Sequence, residues 1–330
     1  MQGNDGSSDL MSDTTQAKLP SASIVFLTYN GMPLVEDVLK SIRNQKFNGD
    51  YELLCIDTSS KDGTFELSRT LCDEVIQIQP HEFHHSRTRN LGVSVSNNDI
   101  CVFLSQDALP SDEHWLTNLI SPFVDPDVGA VYGRQKAPDH FGAQRRYSMG
   151  EVYPEARQVR QFVPGEKRSL SEVRFSDANG AYRRALLLEK PFPEHVPISE
   201  DIAACYYILE KGLKVVYEPL ANVIHGHERS IKDEFRWAFD SGIALKRLGI
   251  LGNPNFKSET KYGIKKLTDE LVYFTKRFAI GTAMHSVSVY AARWLGVQLG
   301  KRENQIPPKI ARAISPSLAR EHARTKNVAN

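Results

Sequence analysis

Several side chains in this sequence stand in patterns that chemistry could use. Glu200 and Asp201 are adjacent acids, and one member of such a pair can take a proton from a hydroxyl. The same Ser199-Glu200-Asp201 run also has the composition of a helix N-terminus, where acids complement the dipole and cap free N–H groups. Asp107 follows an apolar run and precedes a proline, which suits either a divalent-cation ligand or a turn former. His225 and His227 flank a glycine and could complete a metal site with Asp107 or bind phosphate oxygens. Asp57 and Asp62 share a turn from which one could accept the N3–H of a pyrimidine. Arg87 and Arg89 could neutralise phosphate or merely decorate the start of a helix. His81, His84 and His85 cluster without a metal-ligand period and read as a crevice wall first.

These residues need a frame, and the hydrophobic pattern supplies one. Residues 23–28 (SIVFLT), 51–56, 74–78 and 100–104 (ICVFL) are strand-like runs. Between them, residues 34–44 and 64–72 have helical spacing, and 90–95 forms a shorter helix. Strands alternating with helices predict βαβ units and a mainly parallel sheet, with ligands bound beyond the carboxyl ends of the strands. Asn30, Asp57, Arg89 and Asp107 would then converge on one crevice. After Pro110 the periodicity weakens, and residues 134–172 read as a long loop or mobile lid. Order returns at residues 173–183, in a helix over 200–211 ended by Gly212, and in two runs, 213–217 and 221–224, separated at Pro219. Beyond Arg229 the pattern is helical. Ile264, Leu267, Leu271, Phe274 and Phe278 form an apolar seam for packing on the main domain, a partner chain or a membrane face.

Composition narrows the function class. The formal net charge of +1 gives no global field, so nothing announces nucleic acid as a partner. The charge is nevertheless divided. Residues 255–330 carry 14 Lys/Arg against 5 Asp/Glu, which leaves residues 1–254 at −8. A basic tail on an acidic body fits an anionic surface such as membrane lipid or a phosphorylated acceptor, or a plain solvated helix. The four cysteines lack CxxC spacing and fit a reducing compartment. The polar first twenty residues have no apolar core and read as a disordered leader, not a signal peptide. No clean apolar stretch of spanning length occurs, so the expected location is cytoplasmic, at most at the inner face of the membrane. No GxGxxG follows the first strand, where Tyr29-Asn30-Gly31-Met32-Pro33 stands instead, which discounts a dinucleotide-dependent oxidoreductase. Paired carboxylates also serve glycoside hydrolases, but the strand-end Asp and Arg cluster suits a diphosphate better than a neutral glycan.

The order of the motifs resembles the family-2 glycosyltransferases of GT-A fold, from about residue 23 to residue 228. The markers are IVFLTYNG (24–31), IDTSSKDGT (56–64), TRNLGV (88–93), FLSQDALPSD (103–112), FSDANGAYRR (175–184) and ISEDIAACYYILEKGLKVVYEP (198–219). The resemblance implies an α/β, GT-A-type nucleotide-sugar-binding fold over residues 21–228, followed by a basic helical region over 229–330. It implies an inverting transferase acting by single displacement, with Asp201 of the Glu200-Asp201 pair as general base. Asp57 would contact the base and Arg89 help hold the nucleotide. The nucleotide-binding set is expected among Thr28, Asn30, Asp57, Asp62, Arg87, Arg89 and Gln106. Asp107 stands where the second acid of the family's DxD motif binds Mg²⁺ or Mn²⁺. The motif here reads Ser105-Gln106-Asp107, lacking its first carboxylate, so His225 or His227 would have to help. The SQDA form, with FHHSRTRNLG before it and VIHGHERSIKDEFRWAFDSG after it, looks most like bacterial rhamnosyltransferases of surface-polysaccharide assembly. Those would take a dTDP-linked deoxysugar donor and a glycan or polyprenyl-diphosphate-linked acceptor. A transferase for another nucleotide hexose and a non-catalytic sugar-nucleotide-binding subunit are the alternatives. Peripheral membrane contact through the basic region and oligomer formation fit the same resemblance.

Overall fold

The computed structural model describes residues 18–328. The leader expected over residues 1–20 therefore lies mostly outside the described residues. Its end is tied down, since the Leu19 N–H donates to the Asn48 carbonyl at 2.9 Å.

The first half of the chain alternates strictly. Strand β1 (Ala22–Thr28) leads to α1 (Leu34–Arg43), β2 (Tyr51–Asp57), α2 (Thr64–Leu71), β3 (Glu74–Gln77), α3 (His85–Val95) and β4 (Ile100–Ser105). Then come β5 (Leu109–Pro110), α4 (Trp115–Ile120), β6 (Val128–Lys136), α5 (Ala143–Val152), β7 (Gln158–Arg160), β8 (Asn179–Arg183), α6 (Arg184–Glu189), α7 (Glu200–Glu210) and β9 (Lys214–Ile224). Five helices follow: α8 (Ile231–Arg247), α9 (Glu259–Thr275), α10 (Ile280–Gly300), α11 (Pro308–Ile314) and α12 (Pro316–Val328).

The strands form one sheet in the order β3-β2-β1-β4-β8-β6-β9-β5, with β7 added on β9. β3, β2, β1 and β4 run parallel, as the βαβ spacing predicts. β8 then enters antiparallel to both β4 and β6. Period-2 alternation sends side chains of β1 to opposite faces. Ile24 and Phe26 join the core under α1 and α4, and Val25 joins the core under α3 and α7. The two runs flanking Pro219 belong to one strand, β9. Its pairing with β6 jumps from Gly133–Glu218 to Gln135–Val223, so the residues around Pro219 bulge out of register where a proline cannot donate to the ladder.

Three expectations are corrected. Residues 134–172 are not a long loop, because they contain the end of β6, helix α5 and strand β7. Nor is α5 loose. Tyr147 stacks on Tyr273 at 4.3 Å, Gln144 donates to Glu270 at 2.9 Å, and Lys266 pairs with Glu151 at 3.0 Å. The apolar seam on α9 is only partly internal: Phe274 is buried, but Ile264 and Phe278 are 61% and 91% exposed. Phe278 lies in the α9–α10 turn at φ 57°, beyond the helix whose spacing placed it on the seam. Finally, α3 begins five residues earlier than the periodicity indicated, and Arg87 and Arg89 lie within it.

The boundary expected at residue 228 is not a gap in the packing. Leu245, Ile250, Leu251 and Phe256 belong to the same core as Val25, Phe103 and Tyr182. Among the described residues, no helix is long and apolar enough to cross a membrane.

Candidate active site

The carboxyl ends of β1 and β4 and the start of α3 open onto a crevice of about 180 Å³, lined in part by Thr28, Tyr29, Arg89, Gln106, Asp107 and Asp177. Its floor is a set of interlocked loops. The Thr28 hydroxyl donates to Asp57 at 2.9 Å, and Asp57 also accepts the Ser60 N–H at 2.9 Å and the Ser60 hydroxyl at 2.5 Å. Asp57 is wholly buried, with both oxygens engaged. In this arrangement it ties the β1 and β2 loops together, and it is not among the side chains that line the crevice. Asn30 and Asp62 stitch the same loops: Asn30 accepts the Lys61 N–H and Asp62 accepts the Met32 N–H, both at 2.9 Å. Gln106 clamps Tyr29 by its backbone, accepting its N–H at 2.8 Å and donating to its carbonyl at 3.2 Å. Of the seven residues expected to hold the nucleotide, Thr28, Arg89 and Gln106 line the crevice itself.

Arg89 sits at the meeting of three carboxylates. One guanidinium nitrogen contacts Glu200 and another lies 3.1 Å from Asp177, while the plane covers the Phe103 ring at 5.8 Å. Helix α3 is held close enough for this by Gly92, whose added Cβ would stand 2.3 Å from a Val25 methyl on β1. Arg87 is not part of the group. Two residues along a helix is a turn of about 200°, and Arg87 pairs outside the crevice with Glu194 at 2.6 Å. His85, one turn before Arg89, lines the crevice, and burial pushes its imidazole down to about 4, so it is neutral near pH 7. His84 lies instead in a separate small cavity beside Arg320.

The acids around Arg89 are unequal. Burial opposes ionisation of Glu200, but the Arg89 charge holds it below the usual carboxylate range. Burial raises Asp177 against the pull of Arg89, and the Tyr182 hydroxyl donates to its other oxygen at 2.6 Å. Among the described residues, Asp201 has no ion-pair partner of its own. Burial, then the charges of Asp177 and Glu200, push it well above the usual range. It accepts a hydrogen bond from the Ile202 N–H at 2.7 Å. The pair is thus split by environment into a salt-bridged anion and a carboxyl of enhanced basicity. Simple capping does not describe it, since Ser199 makes no side-chain cap and Glu200 points to Arg89. Asp177 is a member that the sequence reading passed over, although it lies within the FSDANGAYRR motif.

At the other end of the crevice, Asp107 meets the two histidines. β5 pairs antiparallel with the end of β9, Leu109 opposite Ile224, which brings residue 107 beside residue 225. Asp107 Oδ1 lies 3.4 Å from His225 Nε2, and Oδ2 lies 3.8 Å from His227 Nδ1. One ligand atom from each of the three falls within 4.8 Å of the others. His225 Nδ1 is 2.9 Å from the amide oxygen of Gln135, whose NH₂ donates to Ser176 at 2.8 Å. A ring that donates Nδ1–H to that oxygen turns Nε2 toward Asp107, the orientation a metal-ligating imidazole requires. One carboxylate and two imidazoles fit a divalent cation and leave coordination positions for phosphate oxygens.

Comparison with known proteins agrees with the fold. The family model for Glycosyl transferase family 2 matches residues 23–189. The O-antigen chain rhamnosyltransferase RfbN of Salmonella typhimurium is 29% identical over 89% of this chain and 93% of its own length. The O-antigen chain rhamnosyltransferase WbaN of Salmonella anatum is 28% identical over 90% and 94%. Among solved structures, the mannosyltransferase PcManGT of Pyrobaculum calidifontis, in complex with GDP-Man and Mn²⁺, superposes with a TM-score of 0.53 at 19% identity, covering 93% of this chain and 86% of that one. Residues 1–349 of TarS from S. aureus give a TM-score of 0.50 at 14% identity, covering 86% and 91%. At such identities the structural likeness is one of fold.

Proposed function

This chain belongs to glycosyl transferase family 2, and from that premise we propose that it moves L-rhamnose from dTDP-rhamnose to the glycan of a lipid-linked O-antigen-type acceptor, with inversion. Support for the sugar and acceptor comes from two relatives aligned over about nine-tenths of the chain, both O-antigen chain rhamnosyltransferases. The observation that carries the chemistry is the split carboxylate pair beside the crevice.

Asp201 is the general base. Its raised basicity suits it to take the proton of an acceptor hydroxyl as that oxygen attacks the anomeric carbon and the nucleoside diphosphate departs. Glu200 and Asp177 hold Arg89 rigid, and Arg89 in turn fixes the acidic cluster against the nucleotide side of the crevice. Gln106 and Asp57 keep the β1 and β2 loops in register for the nucleotide. Asp107, His225 and His227 would hold a divalent cation, which supplies neutralisation of the leaving diphosphate. Two imidazole nitrogens favour Mn²⁺ over Mg²⁺, which prefers an all-oxygen shell. Residues 21–228 are the catalytic part in this reading, and 229–330 serve the acceptor side.

The test is turnover of dTDP-rhamnose with acceptor and Mn²⁺ by the wild type and by Asp201→Asn. The variant should bind dTDP normally and lose at least about a hundredfold in turnover, the usual range for a catalytic base. Undiminished turnover would remove Asp201 from the mechanism. A panel of other nucleotide hexoses in the same assay decides the sugar.

A further inference from the structure

Immediately beyond His227 lies a second cavity, of about 250 Å³, between α5, the start of α8 and the start of α10. Arg145 and Arg229 line it, and among the described residues neither has a carboxylate within 4.0 Å. Arg145 Nε is buried without a hydrogen-bond partner. Both lining acids are already engaged: Glu234 is held by Arg293 at 2.8 Å, and Glu228 accepts the Gly142 N–H at 2.9 Å. The α10 N-terminus opens on the same space through Gly281 and Thr282, with no side chain capping it. Arg229 also lies over the Trp237 ring at 5.2 Å, which leaves its N–H edge free; two guanidiniums without a carboxylate partner facing a free helix N-terminus are the chemistry of a phosphate site.

What leaves the cavity is as informative as what lines it. Ile280, Met284, Val287, Trp294 and Leu295 are each 45–68% exposed and fall on one side of α10 at helical spacing. With Leu299 they make an apolar stripe about 28 Å long at 1.5 Å per residue; it starts beside the cavity at the α10 N-terminus and follows the face turned away from the cavity-lining Thr282, His285 and Val289. A patch of that extent is unusual on a surface that meets only water. α10 contains no Asp or Glu, and Lys276-Arg277 and Lys301-Arg302 bracket it. Self-association along the stripe, parallel or antiparallel, would set cation against cation at both ends. An anionic amphiphile satisfies the arginines, the stripe and the flanking cations together.

We propose that the Arg145/Arg229 cavity holds the phosphate or diphosphate head of a lipid-linked acceptor, whose chain leaves over the apolar stripe of α10. As the acceptor's anchor, this site rests on the transferase reading above. It lies next to the Asp107–His225–His227 group without sharing its residues, so lipid phosphate and donor diphosphate occupy separate places.

Calorimetry with farnesyl diphosphate as the probe tests this in the full chain. Farnesyl diphosphate should bind in the presence of saturating dTDP and Mn²⁺; displacement by dTDP would place its phosphates in the donor crevice and overturn the proposal. Arg145→Gln and Arg229→Gln should each weaken it roughly tenfold or more, the worth of a charged hydrogen bond, with dTDP affinity unchanged as the check on folding. Unaltered farnesyl diphosphate affinity in both variants would also overturn it. Inorganic pyrophosphate should bind more weakly than farnesyl diphosphate, and Met284→Glu should weaken only the latter; equal affinities would reject the lipid as source. Normal dTDP binding and turnover alongside any of these failures would leave the transferase reading standing.

Discussion

Asp201 and Glu200 are neighbours in sequence, yet among the described residues only Glu200 is ion-paired, and the roles proposed for them rest on that difference. The sign of the resulting pH dependence follows. Asp201 binds its proton more tightly in the folded state than in the unfolded chain. Its contribution to stability is therefore present at low pH and lost as pH rises through its raised folded value. Activity moves the opposite way, because the base must be ionised. Turnover should climb with pH through a midpoint above the usual carboxylate range. Asp201→Asn should lose less stability than the wild type as pH rises, which thermal unfolding at a series of pH values measures; a steeper loss would contradict the burial argument. A second residue-scale prediction concerns Gln135. Gln135→Leu removes the acceptor that fixes the His225 tautomer and should weaken Mn²⁺ binding about 10- to 100-fold, measured by metal titration of dTDP binding. The acidic pair, Asp107 and the two histidines were legible in the sequence because motifs carry them. Gln135 was not, since it lies 90 residues from the ring it orients. Asp57 was legible as important, but its bonds to Thr28 and Ser60 were not, since Thr28 lies 29 residues away on another strand.

Elements with a clean hydrophobic phase were read nearly to their ends, as for β1, α1, β2, α2, β4 and α7. Those without one were not. The first turn of α3 is His85-Ser86-Arg87-Thr88, which carries no apolar signal and is fixed instead by tertiary contacts, such as the Ser86 hydroxyl donating to the Pro193 carbonyl at 2.6 Å. Missing that turn is why Arg87 and Arg89 were grouped, although the helix turns them apart. β9 was split for a related reason, since Pro219 marks a bulge that local reading takes for an end. Helix α3 also supplies an element-scale prediction. Ala is the better helix former by about 1 kcal/mol, but the added methyl of Gly92→Ala would meet a Val25 side chain that is fully buried and cannot withdraw. Overpacking of about 1–3 kcal/mol should win. Denaturant unfolding should show net destabilisation, and dTDP affinity should fall as Arg89 is displaced. A stabilised variant with unchanged affinity would show that α3 is free to move.

Over the whole molecule, the parallel half of the sheet presents the loops proposed to hold the nucleotide, and the antiparallel entry of β8 turns Asp177 back toward them. The β5–β9 pairing closes the circuit by carrying the histidines to Asp107. The division of charge seen in the sequence has a structural counterpart, with the acidic cluster in the sheet domain and the cations on the terminal helices. Sequence patterning foresaw helices beyond residue 229 but not their attachment, because core membership depends on residues hundreds of positions apart. Deleting residues 229–330 should therefore not yield a soluble catalytic domain. It strips Leu245, Ile250, Leu251 and Phe256 from a core shared with the sheet, and the fragment should aggregate or unfold at markedly lower temperature in a thermal scan; a fragment as stable as the full chain would refute the shared core. The central claim is a single displacement at the sugar carbon by a hydroxyl that Asp201 deprotonates. The most direct measurement is the anomeric configuration of the newly formed linkage, read by NMR on product made from dTDP-rhamnose. The account predicts the configuration opposite to that in the donor, and retained configuration would contradict it.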